Sequence, residues 1–160
     1  MEIAMKLAEA LAQRAALMKR LEQLRARAQA NARYQEGELP AEDAAELLTQ
    51  ADETLDELER LIRQINMTNA RTDLAPDVSL TDALARRDVL RWRHSVYTGI
   101  ADAASGNQHG SFVRQMRSEL RILTAIPVVD LRRRADQLAK DYRELDVRIQ
   151  QRNWEVDLIE

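Results

Sequence analysis

Between Val128 and Val156 the apolar residues recur at alternating steps of three and four. They are Val128, Leu131, Ala135, Leu138, Tyr142, Leu145, Ile149 and Val156, and Arg152 holds the single position that breaks the set. Such spacing puts every member on one stripe of a helix. The residues between are almost all charged or amide, as in RRR, KDYRELD and RIQQRN. A helix of this kind owes its stability to tertiary burial of its stripe, so it must lie against partner helices. That requirement commits the chain to helix-on-helix packing before any other residue is considered.

The same spacing recurs upstream. A first helix over about residues 4–33 reads Ala4, Leu7, Leu11, Arg14, Met18, Leu21, Arg25 and Ala28, with Leu17 and Leu24 widening the stripe. Two arginines therefore stand where apolar residues belong. Either they snorkel to water over the seam, or one is buried against a carboxylate and fixes the register. Met5 opens this helix as well as Met1 does. Tyr34–Ala41, with Gly37 and Pro40, reads as a short loop. Glu42 and Asp43 then favour the start of a second helix by complementing its dipole. That helix covers about residues 42–70, with the seam Leu48, Ala51, Leu55, Leu58, Ile62, Ile65 and Asn69, broadened by Leu47 and Leu61. The short loop makes the two helices an antiparallel pair, at 1.5 Å per residue roughly 40 Å long. In that register Arg14 stands level with the turn around Ile62, and Glu59 is its expected partner. Asn66 and Asn69 carry the polar end of the second seam, as caps or as a polar pocket.

Residues 71–79 read as a loop, with Ser79 or Thr81 to cap a third helix over about residues 80–104 and Asp82 in its first turn. This helix has two apolar faces. One carries Leu80, Ala83, Leu84, Leu90, His94, Tyr97 and Ala101; the other carries Ala85, Val89, Trp92, Val96 and Ile100. A surface helix needs one such face, so this helix is either sandwiched within the chain or placed at a subunit interface, and with four helices available the interface is favoured. An insertion at 105–127 interrupts the helical pattern. Leu120, Ile122, Thr124 and Ile126 alternate as a partly buried strand would, with Phe112–Met116 as hairpin mate. The fourth helix, about residues 128–156, carries Trp154 opposite its seam. The expected fold is a single predominantly all-α domain over residues 1–160. It is an antiparallel four-helix, coiled-coil-like bundle with a short β-hairpin or irregular insertion before the last helix.

The chemistry in reach is narrow. With no cysteine, the chain has no disulfide frame, thiolate metal site or cysteine nucleophile. The two histidines, His94 and His109, stand on an apolar face and in a Gly-rich turn. The residue three before His94 is Arg91, so the Glu-x-x-His signature of di-iron bundles is absent. Asp52, Glu53, Asp56, Glu57 and Glu59, with Asp141, Glu144 and Asp146, invite comparison with Mg²⁺-dependent helical hydrolases. Most lie off their seams, as a solvated face would. No Gly-rich phosphate loop or G-x-S-x-G occurs. No enzyme and no cofactor are expected; a metal-dependent hydrolase on the helix carboxylates is the third and least favoured reading.

Net charge is −3, but residues 71–134 hold 11 Lys and Arg against 7 Asp and Glu. Arg86, Arg87, Arg91 and Arg93 surround Trp92, Arg114, Arg117 and Arg121 stud the insertion, and Arg132–Arg134 follow. Arginine interleaved with aromatics can hold nucleic acid or another anion, and this is the alternative reading of the 86–134 region. Asp82, Asp88, Asp102, Glu119 and Asp130 dilute it. No apolar run approaches the roughly 20 residues needed to span a bilayer, no membrane partner is expected, and a cytoplasmic protein is the default expectation.

MKLAEAL, N66-M-T-N69, L80-T-D-A-L-A-R-R-D-V-L90, Y142-R-E-L-D146, N153-W154 and D157-L158 together resemble an uncharacterised bacterial family of small helical proteins. Its members often carry the label septicolysin or domain of unknown function. The resemblance spans nearly the whole chain and implies a helical-hairpin fold without an established activity. The polar residues of the matched motifs are Asn66, Asn69, Asp82, Arg86, Asp88, Arg143, Asp146 and Asn153. Several of these, together with Arg14, are expected to share a hydrogen-bonded network. Val89, Trp92, Val96, Ile100, Phe112 and Ile122 are the expected interface. The functional expectation is a non-enzymatic homo-oligomeric scaffold or interaction protein.

Overall fold

The computed structural model describes residues 4–106 and 120–159. Four helices carry the fold: α1 (Leu7–Ala30), α2 (Ala44–Arg71), α3 (Leu80–Ala104) and α4 (Val128–Glu155). A small antiparallel hairpin, β1 (Asp73–Ala75) and β2 (Val78–Ser79), stands between α2 and α3. The fold is a helical bundle built of packed helix pairs, as the three-four spacing requires. The chain groups into two compact units. One comprises the chain up to Thr81 with the segment from Gln150 onward, the other Asp82–Ile149.

In the first unit α1 and α2 pair antiparallel: Leu24 packs with Leu47 and Ala51, flanked by Leu21 and Ala28. Further along, Gln13 Nε2 donates to Glu57 Oε1 at 3.0 Å. The buried row on α1 is Leu7, Ala10, Leu17 and Leu24; on α2 it is Leu47, Ala51, Thr54, Leu58, Leu61, Ile65 and Thr68. Leu7, Ala51, Leu58 and Ile65 of the rows read in the sequence are buried. Elsewhere the seams turn by one residue, onto Leu17, Leu24, Leu47 and Leu61 that widened the stripes and onto Ala10, Thr54 and Thr68. Met18, Leu48 and Leu55 are exposed instead. The turned register leaves Arg25 exposed, sparing the cost of desolvating its guanidinium. The threonines it buries are tolerated because they satisfy their own hydroxyls: Thr54 Oγ1 donates to the Gln50 carbonyl at 2.8 Å and Thr68 Oγ1 to that of Gln64 at 2.7 Å. Arg14 stays on the seam line but is exposed. It makes no ion pair with Glu59, so its stem lies along the seam and its head reaches water.

The turn between the pair is held by polar bonds. Asp43 caps α2, its Oδ1 accepting from the N–H groups of Ala45 at 2.8 Å and Glu46 at 3.3 Å. Asn31 Nδ2 donates to the Arg27 carbonyl at 2.9 Å, and Asn31 Oδ1 accepts from Glu42 N at 3.1 Å. Arg27 Nε donates to both Glu42 oxygens, at 3.1 and 3.0 Å. That hydrogen bond, aided by the guanidinium charge and opposed by burial, holds the Glu42 carboxyl below its usual range. It raises Arg27 in turn.

The β1–β2 hairpin occupies residues read as a loop. Pro76 and Asp77 turn it, and Asp77 has φ of 59°, the left-handed conformation that type II turns require after proline. Leu80 N donates to the Thr72 carbonyl at 2.8 Å, closing its base. From Gln150, in the last turns of α4, the chain belongs to the same unit. Leu7 N donates to the Val156 carbonyl at 2.9 Å and Leu158 N to that of Met5 at 2.7 Å. Lys6 Nζ pairs with Asp157 at 2.7 Å, and Ile159 N donates to Thr68 Oγ1 at 3.0 Å. Arg152, the residue that breaks the α4 stripe, has a use here: its Nε donates to the Asp73 carbonyl of the hairpin at 3.1 Å.

In the second unit α3 and α4 run antiparallel, tied by Arg87 to Asp146 at 2.8 Å and Arg132 to Asp102 at 2.6 Å. Ala83, Leu90 and Ala101 of α3 are buried with Leu131, Ala135, Leu138 and Ile149 of α4. Both rows are those read from the spacing. Gly106, with φ of 80°, follows the last turn of α3 where a left-handed residue ends a helix. The strand expected over Leu120–Ile126 does not form. That stretch is irregular, with Leu120, Ile122 and Leu123 all exposed. Among the described residues it has no second strand to complete its backbone hydrogen bonds, and alternation alone does not supply one. The expected mate, Phe112–Met116, lies outside the described residues.

Candidate functional site

The two flanks of the α3–α4 pair differ in chemistry. One carries the Arg87–Asp146 and Arg132–Asp102 ion pairs. It also holds an open cavity of about 270 Å³ lined by Arg91, His94, Ala139, Tyr142 and Arg143. On the other flank a cavity of about 420 Å³ has a floor of Leu90 and Leu138 and a rim of Arg86, Arg93, Arg134 and Asp141. A neighbouring one of about 210 Å³ adds Arg148, Glu144 and Leu145. Arg86, Arg93, Arg134 and Arg148 are all exposed and form no ion pair among the described residues. The acids beside them are engaged elsewhere: Asp141 accepts from Gln137 Nε2 at 2.7 Å, and Glu144 lies 3.8 Å from Lys140 Nζ. This flank therefore presents guanidinium groups with hydrogen-bonding capacity to spare, above an apolar floor.

The second apolar face of α3 continues it. Val89 is 42%, Trp92 61%, Val96 57% and Ile100 41% exposed. Their spacing keeps them on one side of the helix, away from the buried row of Ala83, Leu90 and Ala101, and Val89 at the edge of this face also lines the cavity of about 420 Å³. Of the other two expected interface residues, Ile122 is exposed and Phe112 lies outside the described residues.

The polar residues singled out in the sequence divide between the units. Arg14, Asn66, Asn69 and Asn153 belong to the first; Asp82, Arg86, Asp88, Arg143 and Asp146 belong to the second. Asn153 is buried, Asn69 half-buried and Asn66 exposed. Asp146 is held by Arg87, and Asp88 lies 3.4 Å from Arg91 one turn away. Arg143 lines the cavity beside His94, and Arg86 lines the arginine-rimmed flank. Sequence reasoning missed Arg87 as the partner of Asp146, although Arg87 falls on the packed row between Ala83 and Leu90. It also missed Thr68, whose polar type hid a seam position. Among the described residues, no group of three or more His, Asp or Glu is placed to hold a metal ion. No described helix is long and apolar enough to cross a membrane.

Comparison with known proteins agrees with a family whose role is open. No curated protein matches the chain. The chain is similar to a functionally unknown conserved protein from Corynebacterium diphtheriae, known from its crystal structure. The two are 38% identical over 98% of this chain and 100% of that one, with a TM-score of 0.89. The resemblance read from the sequence thus holds at the level of an uncharacterised helical family, and neither comparison carries the septicolysin name. Residues 14–158 match the model of a family of unknown function, and the chain belongs to that family, DUF6847.

Proposed function

We propose that the chain is a non-enzymatic interaction protein that docks through the outer face of α3, with a second copy of itself as the partner, and so serves as a helical scaffold. The observation that carries this is the exposed row Val89, Trp92, Val96 and Ile100. Covering such a row removes apolar surface from water at about 25 cal/mol per Å². Tryptophan is among the residues enriched in contact cores, and Trp92 stands within this row. Size-exclusion chromatography with light scattering tests it. The expected mass is a multiple of the 18.3 kDa chain; the mass of one chain at every concentration would overturn it.

A second reading has its own observation, the four arginines that form no ion pair among the described residues. Under that reading the flank binds nucleic acid or another polyanion through phosphate contacts. Recording absorbance at 260 and 280 nm across the same peak separates the two. Nucleic acid travelling with the protein would put the binding module first.

A further inference from the structure

We infer that the surface received by the arginine-rimmed face of α3 is the outer face of α2 from a second copy, an inference that rests on the docking reading above. The α1–α2 seam leaves a second apolar row on α2: Leu48 is 59% and Leu55 45% exposed, and Ile62 is half-buried. These three are seven residues apart, and so are Asp52 and Glu59 beside them. On α3 the exposed Val89 and Val96 are seven apart, and so are Arg86 and Arg93 beside them.

Equal repeats matter because two helices laid together keep matching partners over successive turns only when their periods agree. Here each period carries the same order of chemistry, an apolar side chain with a charge beside it, and the charges are of opposite sign. From Glu42 to Glu59 the chain holds eight carboxylates and no basic residue. Asp52, Glu59, Arg86 and Arg93 are all exposed, and none forms an ion pair among the described residues. The face is not a by-product of the polar flank, since Gln13 and Glu57 bond on the other side of the α1–α2 pair. Every copy carries both surfaces, so a second copy is the occupant that complements each. Such matched fields steer encounter and fix register.

The test uses the full chain and two doubly substituted variants, R86E/R93E and D52R/E59R, weighed by light scattering with helicity checked by circular dichroism. Each variant alone should lose self-association by at least about tenfold, since like charges would face each other. An equimolar mixture should recover the wild-type mass, because the reversed surfaces complement one another in both directions. The neutral variant D52N/E59Q should fall between, and it keeps the test open if a reversed variant fails to fold. If R86E/R93E dissociates while D52R/E59R assembles like the wild type, the α3 docking face stands and α2 is not its partner. If neither variant changes the mass of an assembling wild type, or the wild type is a monomer, both readings fall. If nucleic acid leaves the wild-type peak on R86E/R93E substitution, the occupant is a polyanion and the α2 assignment is overturned.

Discussion

Thr68→Val removes one hydroxyl and keeps the shape of the side chain. Thr68 is fully buried, and its Oγ1 both donates to the Gln64 carbonyl at 2.7 Å and accepts from Ile159 N at 3.0 Å. The Gln64 carbonyl keeps its helical partner in the variant, so its loss is small. Ile159 N loses its acceptor, and an unpaired buried donor costs about 1–3 kcal/mol. Ile159 is only half-buried, so water recovers part of that, leaving about 1–2 kcal/mol. At about 2–4 °C per kcal/mol for a chain of this length, the melting temperature should fall by about 2–8 °C. Thermal unfolding followed by far-ultraviolet circular dichroism measures it, and hydrogen exchange at Ile159 should accelerate. Thr68→Ser keeps the hydroxyl and loses a methyl, at about 0.8 kcal/mol, while Ile159 protection is retained. A valine variant as stable as the wild type, with Ile159 exchange unchanged, would refute the claim that this hydroxyl holds the C-terminal segment.

The turned seam separates neighbours on α1: Leu17, 7% exposed, should cost about 2–5 kcal/mol on truncation to alanine. Met18, 46% exposed, should cost less than about 1 kcal/mol, and urea unfolding that ranked them the other way would restore the row read from the sequence. Arg152→Ala should destabilise by about 1 kcal/mol through its lost bond to the Asp73 carbonyl and lost stem packing, with exchange in the β1–β2 hairpin rising more than elsewhere. Glu42 has a depressed pKa when folded, so its contribution is present above the carboxylate's ordinary pKa and is lost as pH falls through the depressed one. The stability gap between wild type and Glu42→Gln should therefore close in acid, and a gap that ignores pH would contradict the assignment.

The helices were legible because tertiary burial writes a three-four period into any packed helix. On α4 the buried Leu131, Ala135, Leu138 and Ile149 all belong to the row read from the spacing, and Asn153 is the buried residue it did not include. On α1 and α2 the rows held at Leu7, Ala51, Leu58 and Ile65 and were one residue out at the other seam positions. Leu17 and Met18, like Leu47 and Leu48, offer adjacent apolar side chains, and apolarity alone does not choose between them. Thr54 and Thr68 complete the buried row on α2, which their polar type hid, because their hydroxyls bond back to the helix. Residues 73–79 were too short for a period, and their hairpin rests on Pro76 and a positive φ at Asp77. Residues 120–126 had the period of a strand but, among the described residues, no strand partner. At the candidate surface, Val89, Trp92, Val96 and Ile100 stood out because α3 has more apolar faces than its pairing with α4 covers. That Arg86, Arg93, Arg134 and Arg148 form no ion pair among the described residues was not legible, because it depends on where Asp141 and Glu144 turn.

The most direct test of the α3 face is the fluorescence of Trp92 against protein concentration in a Trp154→Phe background, read beside the mass of the same samples. Trp92 and Trp154 are the two tryptophans of the chain, so the variant reports on the face alone. The account predicts that Trp92 emission shifts to the blue over the concentrations at which the mass rises above one chain, as its indole leaves water. A rise in mass with the emission of a solvated indole throughout would place the contact elsewhere and contradict the account.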